Sequence, residues 1–309
     1  MAYGLTMFEN DDIDFYQTKS HITDTNTYLY KGEWLPLQIQ EKKIKVKDAH
    51  PVTFQVKSSL HGPLMNDVID GVALDKPLSM SWVYTQRPNK VLNALYSISH
   101  AADKDSFKAA LPNIHAPGLN VMYGDREGNI AWWATAALYE LPSGTSSKFI
   151  LDGSIAAQEK IRFTDFSENP MSENPSWNYV YSANNAPLFP SGETYPGYYL
   201  PENRAKRIVT LLDPKDDWDK SSVSEMILDH TSSVNPEIIV DFNRALKEDS
   251  SFFASLGEDE QWAYNDLQSW EGDYPEATTA AALFHKWEYY FLKAVFLDEL
   301  GETQFKAIQ

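Results

Sequence analysis

The feature that most constrains this chain is a change of hydrophobic period near Asn203. Before it, apolar residues tend to alternate with polar ones, as half-buried strands require; after it, they recur every three to four residues, as amphipathic helices require. Tyr28, Tyr30, Trp34, Leu35, Leu37, Ile39, Ile44 and Val46 mark strands across Asn26 to Lys47, with Lys31-Gly32 as a turn. Val52, Phe54 and Val56 alternate towards Leu60, and Met80 to Tyr84 is a short apolar run that suits a buried strand. Asn120 to Leu141 reads as two strands around the turn sequence Asp125-Arg126-Glu127-Gly128-Asn129. One helix is expected within this region, Asn89 to Ala110, with Leu92, Leu95, Ile98 and Ala102 on its inner face.

Beyond it, helices are expected over Asn203 to Leu212, from the capping box Ser222-Val223-Ser224-Glu225, and from Asn235-Pro236, where proline suits a first helical position. Two more are expected over Glu258 to Trp270 and Thr278 to Leu300, the last with Leu283, Trp287, Phe291 and Val295 on one stripe. The layout is α+β, with a β-rich portion over 1–200 and a helical portion over 201–309.

Composition narrows the function. Apolar residues make up 43% of the 309 and aromatic ones 13%, which supports a substantial core and argues against disorder. Asp and Glu number 44 against 26 Lys and Arg, and the net charge of −18 repels phosphate backbones. Nucleic acid is therefore not an expected partner, whereas a cation, or a neutral or cationic substrate, is compatible. The absence of cysteine excludes disulfides, thiolate metal sites and a cysteine nucleophile, and fits periplasm and cytoplasm equally. No apolar run reaches the ~18 residues of a membrane span, and no basic-then-apolar signal opens the chain. Met1 leads directly into Ala2-Tyr3-Gly4-Leu5-Thr6, which reads as the middle of a strand, so the start is expected to be a cut.

Four motifs could carry chemistry. Asp11, Asp12 and Asp14 offer hard oxygen ligands of the kind Ca²⁺ takes, although the spacing is not that of an EF-hand and a solvated acidic turn explains it as well. Leu60-His61-Gly62-Pro63 holds a histidine that is either structural or catalytic. The Asp125 to Asn129 segment is a hairpin turn. Tyr181-Ser182-Ala183-Asn184-Asn185-Ala186-Pro187 is a turn after a strand, or a side-chain amide aimed at an oxyanion. Gly-x-Ser-x-Gly, His-Glu-x-x-His, P-loop and Gly-x-Gly-x-x-Gly patterns are all missing from the sequence.

The order of these motifs resembles the penicillin acylase family. The resemblance rests on Ala2-Tyr3-Gly4-Leu5-Thr6, Asp11-Asp12-Ile13-Asp14, Tyr28 to Trp34 and His61-Gly62. It continues through Asn120-x-x-Tyr123-x-Asp125-x-x-Gly128-Asn129-Ile130, Ala183-Asn184-Asn185-x-Pro187, Arg204-Ala205-x-Arg207-Ile208 and Trp270-Glu271-Gly272. It implies part of an αββα N-terminal-nucleophile hydrolase sandwich, made from two chains by cleavage of one precursor. The new N-terminal serine of the larger chain is nucleophile and, through its α-amino group, base.

By the same resemblance, Asn184 Nδ2 and the Met7 N–H hold the oxyanion, and Arg207 lies near the mouth of the site. Leu5, Glu9, Trp82 and Leu119 fall at acyl-pocket positions, where Glu9 departs from the usual apolar residue and disfavours an aromatic acyl group. Asp11, Asp14 and the carbonyls of Ile13 and Ser147 fall at ligands of a structural Ca²⁺, with Glu193 a further candidate. The nucleophilic serine has no counterpart in this sequence. The expected partners are therefore a small acyl-amide substrate, the smaller chain, and the N-terminal part of the larger chain, with a periplasmic or secreted whole protein. The isolated chain is expected to be inactive. A non-catalytic, Ca²⁺-stabilised binding or structural protein on the same scaffold is the alternative. A carbohydrate-binding β domain, suggested by 9 Trp and 17 Tyr, leaves the ordered motifs unexplained.

Overall fold

Where the alternation is cleanest, strands pair as their turns dictate. Lys31 and Gly32 both take positive φ, 50° and 83°, and close a hairpin of Thr27–Tyr30 with Glu33–Pro36. A two-residue turn of that hand matches the right-handed twist of the strands it joins. The Asp125 carboxylate accepts from the backbone N–H of Glu127 at 3.0 Å and of Asn129 at 2.9 Å, which fixes the turn between Leu119–Gly124 and Ile130–Thr135. This computed structural model describes residues 1–66, 68, 76–187, 195–247 and 250–307. Glu193 lies outside them. Two compact units divide the chain, Met1–Leu200 and Pro201–Gln309.

The first unit is organised by a four-stranded antiparallel sheet in the order Ala2–Met7, Leu119–Gly124, Ile130–Thr135, Met171–Glu173. Its two faces have separate cores, as the period of two requires. Val121, Tyr123, Ala131 and Trp133 pack against Ile98, Phe107, Leu111 and Ile114. On the opposite face Phe8, Ala134, Leu138 and Tyr195 cluster with Trp132 and Tyr199. A smaller sheet pairs Ile13–Gln17 antiparallel with Leu78–Trp82 and parallel with Leu151–Asp152. Gln38–Ile44 and Val52–Ser59 form a separate hairpin extended by Gly62–Pro63.

Two expectations need correcting here. The helix expected over Asn89 to Ala110 is two helices, Val91–Ser99 and Lys104–Ala110. Asp103 accepts from Ser106 N at 2.8 Å and starts the second one, so the inner face is Ala94, Ile98 and Phe107 while Leu92 is exposed. The apolar run from Met80 to Tyr84 is strand only as far as Trp82, because Val83 opens a four-residue helical turn.

The second unit is helical: Asn203–Leu212, Lys220–Ile227, Asn235–Lys247, Ser250–Ser255, Glu258–Ser269 and Ala280–Ala307, the last interrupted at Gly301, whose φ of 72° is not helical. The capping box lies three residues earlier than expected. Asp219 accepts from Ser222 N at 2.8 Å, so Ser222 is the reciprocating residue, not the cap. Asn235 opens its helix from within, its N–H donated to Ser232 Oγ at 3.2 Å. The core holds Ile239, Trp270, Ala280, Ala281 and Phe284, with Trp287 against it. Phe291 and Val295, expected on the same stripe, are exposed, because those core partners lie along the first turns of the last helix. Gly272, at φ 87°, approaches Ser232 so closely that an added Cβ would lie 2.2 Å from its carbonyl oxygen, which explains the glycine of Trp270-Glu271-Gly272. Among the described residues no helix is long and apolar enough to cross a membrane.

Candidate functional site

The strand Ala2–Met7 lies at an edge of the four-stranded sheet. Phe8 N donates to Gly118 O at 3.1 Å, so the pleat turns the Met7 N–H and carbonyl to the opposite edge, away from Leu119. There the Asn184 amide meets it: Nδ2 donates to Met7 O at 2.8 Å. Asn120 Nδ2 donates to the same oxygen at 2.9 Å, and its own Oδ1 accepts from Trp132 Nε1 at 2.9 Å. Thr6 Oγ1 and Ser182 Oγ add a bond of 2.6 Å. Two segments 177 residues apart are thus fastened at one peptide.

Asn184 takes φ 61°, a conformation asparagine tolerates better than most residues, and its carbonyl accepts from Leu200 N at 2.9 Å. Its side chain therefore reaches across to another segment and does not close its own turn. The contact differs from the expected pair of donors in one respect, since it falls on the Met7 carbonyl. The N–H of the same residue shares that edge of the strand.

Leu5 and Leu119 flank Met7, Leu119 as its direct cross-strand partner. Glu9 is half-buried, and its carbonyl accepts from Tyr198 N at 2.8 Å. Gly118 and Gly197 hold this stretch by absence of a side chain. A Cβ at Gly118 would lie 2.5 Å from Phe8 O, and one at Gly197 would lie 2.4 Å from Glu9 O. Trp82 belongs to the smaller sheet, where Nε1 donates to Asp12 Oδ2 at 3.2 Å and the ring stacks on Tyr84. Arg207 belongs to the second unit, where Asp229 takes its guanidinium at 2.8 Å through Nε and 2.5 Å through Nη2.

The acidic cluster begins where the edge strand ends. Asp11 and Asp14 are buried, Asp14 completely. Burial pushes the Asp11 carboxyl above its ordinary range, and repulsion from Asp14 and Asp12 adds to this, against the Ser147 hydroxyl and the Ile13 N–H. Burial also raises Asp12, against the Trp82 N–H and the charge of Lys160. Asp14 sits opposite Ser81 in the ladder, and Lys160 Nζ caps both, 2.5 Å from Asp14 Oδ2 and 2.8 Å from Ser81 Oγ. Asp14 Oδ1 is buried without a close hydrogen-bond partner, and the buried Tyr139 hydroxyl faces Asp14.

Three carboxylates against one ammonium leave the cluster two negative charges in excess. A buried carboxylate oxygen with no close hydrogen-bond partner, beside a second carboxylate and a hydroxyl, is the hard-oxygen environment a Ca²⁺ ion suits. Among the described residues, no three His, Asp or Glu side chains converge as a metal-holding group, so such an ion would rely on main-chain and hydroxyl oxygens for the remainder. Beside the cluster opens a cleft of 790 Å³ whose walls include Asp11, Tyr139, Ser147, Tyr195 and Tyr199.

His61 is a structural residue in this setting. It is buried, stacks on Tyr16 with centroids 4.1 Å apart, and lies 3.4 Å from Glu159. Burial lowers its pKa, against the pull of Glu159.

The penicillin amidase family model matches residues 1–309. The chain belongs to the penicillin amidase family. Acyl-homoserine lactone acylase QuiP of Pseudomonas aeruginosa is 24% identical over 329 residues, covering 97% of this chain and 37% of that protein. Penicillin G acylase of Escherichia coli is 24% identical over 220 residues, covering 70% of this chain and 25% of that one. The thermostable penicillin G acylase from Alcaligenes faecalis superposes with a TM-score of 0.81 at 19% identity, over 99% of this chain and 55% of that chain, and so shares the fold. The chain thus spans less than two fifths of the length of the curated relatives it matches.

Within the first unit of this penicillin amidase family chain, the structure brings Met7 and Asn184 together, and Asp11, Asp14 and Ser147 together. Two residues that the sequence reading gave no role are central to the geometry. Asn120 had a signal, since it opens one of the ordered motifs. Lys160 had none, because a single lysine in an exposed-looking segment carries no pattern.

Proposed function

We propose that this chain is the oxyanion-binding part of an N-acyl amide hydrolase, cleaving the amide of an acylated amine such as a β-lactam side chain or an acyl-homoserine lactone. The observation that carries this reading is the Asn184 amide on Met7, 2.8 Å from its carbonyl oxygen at the outward edge of the strand. Attack of a serine hydroxyl on an amide turns the carbonyl oxygen into an oxyanion. Neutral donors fixed beforehand stabilise that charge as it develops without trapping the substrate. In this reading the Met7 N–H and the Asn184 amide serve that oxygen. Leu5, Leu119 and Trp82 lie on the acyl side, and Glu9 among them selects against an aromatic acyl group.

The nucleophile and its α-amino base come, in this reading, from another segment of the same precursor. The 309-residue chain alone is inactive, and the whole enzyme works in the periplasm or outside the cell. A structural Ca²⁺ at Asp11, Asp14 and the carbonyls of Ile13 and Ser147 would supply the two positive charges the cluster lacks, and no chemistry on the substrate.

The test is hydrolysis of a chromogenic acyl-anilide and of an acyl-homoserine lactone. It compares the isolated chain with a protein that also carries the nucleophile-bearing segment. Turnover is expected only from the second. Turnover that follows the isolated chain through purification and survives Asn184→Ala overturns the mechanism.

A further inference from the structure

We propose that Lys160 is a built-in counter-ion that competes with a divalent cation for Asp14. The inference rests on the cation reading of the acidic cluster, but it concerns a residue outside that ligand set. The Lys160 side chain is only 12% exposed, and Asp14 is not exposed at all. Its ammonium has Asp14 Oδ2 at 2.5 Å, Ser81 Oγ at 2.8 Å and the Tyr139 ring centroid at 4.3 Å. Two hydrogen bonds and an aromatic face leave little of a three-donor group to water. Both flanking residues are tied down, because Ile161 N donates to Glu140 O at 2.9 Å and the Glu159 carboxylate accepts from the Tyr30 hydroxyl at 2.7 Å.

This arrangement divides Asp14 between two positive groups. Oδ2 is committed to lysine, and Oδ1 is buried with only the Tyr139 hydroxyl facing Asp14. A divalent ion bound at Oδ1 would therefore approach a fixed ammonium held on the same carboxylate. Like charges at that range repel, and the repulsion is strong where water is excluded. Lys160 thus offsets one of the three negative charges of the cluster, that of Asp14. It lets the smaller sheet form without the ion and weakens the ion's hold when it binds.

The experiment is calorimetric titration of the chain with CaCl₂, beside Lys160→Met, with melting temperatures measured in EDTA and in Ca²⁺. Lys160→Met should bind Ca²⁺ at least about tenfold more tightly, since the repelling charge is gone. It should melt lower than the parent in EDTA and gain more from Ca²⁺. A nitrogen-detected NMR signal of Lys160 Nζ in the parent chain gives a second reading that does not depend on Lys160→Met folding. The signal should move as Ca²⁺ is added and should stay still in Asp11→Ala. Equal or weaker Ca²⁺ affinity in Lys160→Met, or an Nζ signal blind to Ca²⁺, overturns the competition even if the ion binds. Absence of Ca²⁺ binding in both proteins overturns the competition and the cation reading together.

Discussion

Met7 and Asp11 lie four residues apart, and their neighbourhoods are held by opposite means. The side chains on the Met7 carbonyl, Asn184 and Asn120, are neutral, as is Trp132 behind Asn120. Around Asp14 the groups are charged, with a buried carboxylate on a nearly buried ammonium. The difference teaches what each can do. A neutral amide holds its position whether or not a charge is present, so it can wait for one that exists only in a transition state. A buried ion pair does the reverse, because removing either partner leaves an uncompensated charge. The first arrangement suits reaction, and the second suits architecture.

The largest effect should come from breaking the charged side. Asp14→Ala strands the Lys160 ammonium and should lower stability by about 3–5 kcal/mol, measurable by denaturant unfolding. A loss under 1 kcal/mol would mean that Lys160 turns to water and that the pair is not structural. On the neutral side, Asn120→Leu leaves the Trp132 N–H without its acceptor in a part-buried place. It should cost about 1–3 kcal/mol and shift the indole fluorescence. A cost equal to that of Asp14→Ala would erase the distinction between the two neighbourhoods.

Glu173 offers a second charged site, nearer the surface. Burial works against ionisation of Glu173, but Lys108, Lys104 and the Trp133 N–H outweigh it and hold the carboxyl at about 2, below its ordinary 4.5. Its side chain is 26% exposed, so the contribution is on the order of 2 kcal/mol at most and weakens in salt. A depressed carboxyl stabilises fully above its ordinary pKa and loses this as pH falls through the folded value. The loss should appear between about pH 4.5 and 2, and Glu173→Gln should flatten it. The Asp14–Lys160 pair should show much less salt dependence. The smallest effect is expected for Asn184→Ala in the isolated chain, about 0.5–1.5 kcal/mol for one partly exposed hydrogen bond.

The elements that were legible in the sequence were those whose signal is local. Lys31-Gly32 demanded a tight turn, Asp125 to Asn129 another, and the helix Asn203–Leu212 carries its own amphipathic period. What failed was also local but subtle. Asp103 and Asp219 are N-caps whose reciprocal partners, Ser106 and Ser222, are serines in place of the more familiar glutamate. The exposure of Phe291 and Val295 was unreadable for a different reason, because periodicity says which residues share a face and not how far along it the partners extend. The meeting of Met7 with Asn184 depends on 177 residues of intervening chain and entered only through resemblance. Lys160 on Asp14, 146 residues away, had neither a pattern nor a resemblance to announce it.

The most direct test of the account is kcat for Asn184→Ala in an active enzyme built from this chain and its nucleophile-bearing segment. kcat should fall by about 10²–10³, with KM within a few-fold and the melting temperature lowered by no more than about a few degrees. A variant that keeps the parent kcat would contradict this reading, and Asn184 would then be only the fastening between the edge strand and the loop that carries it.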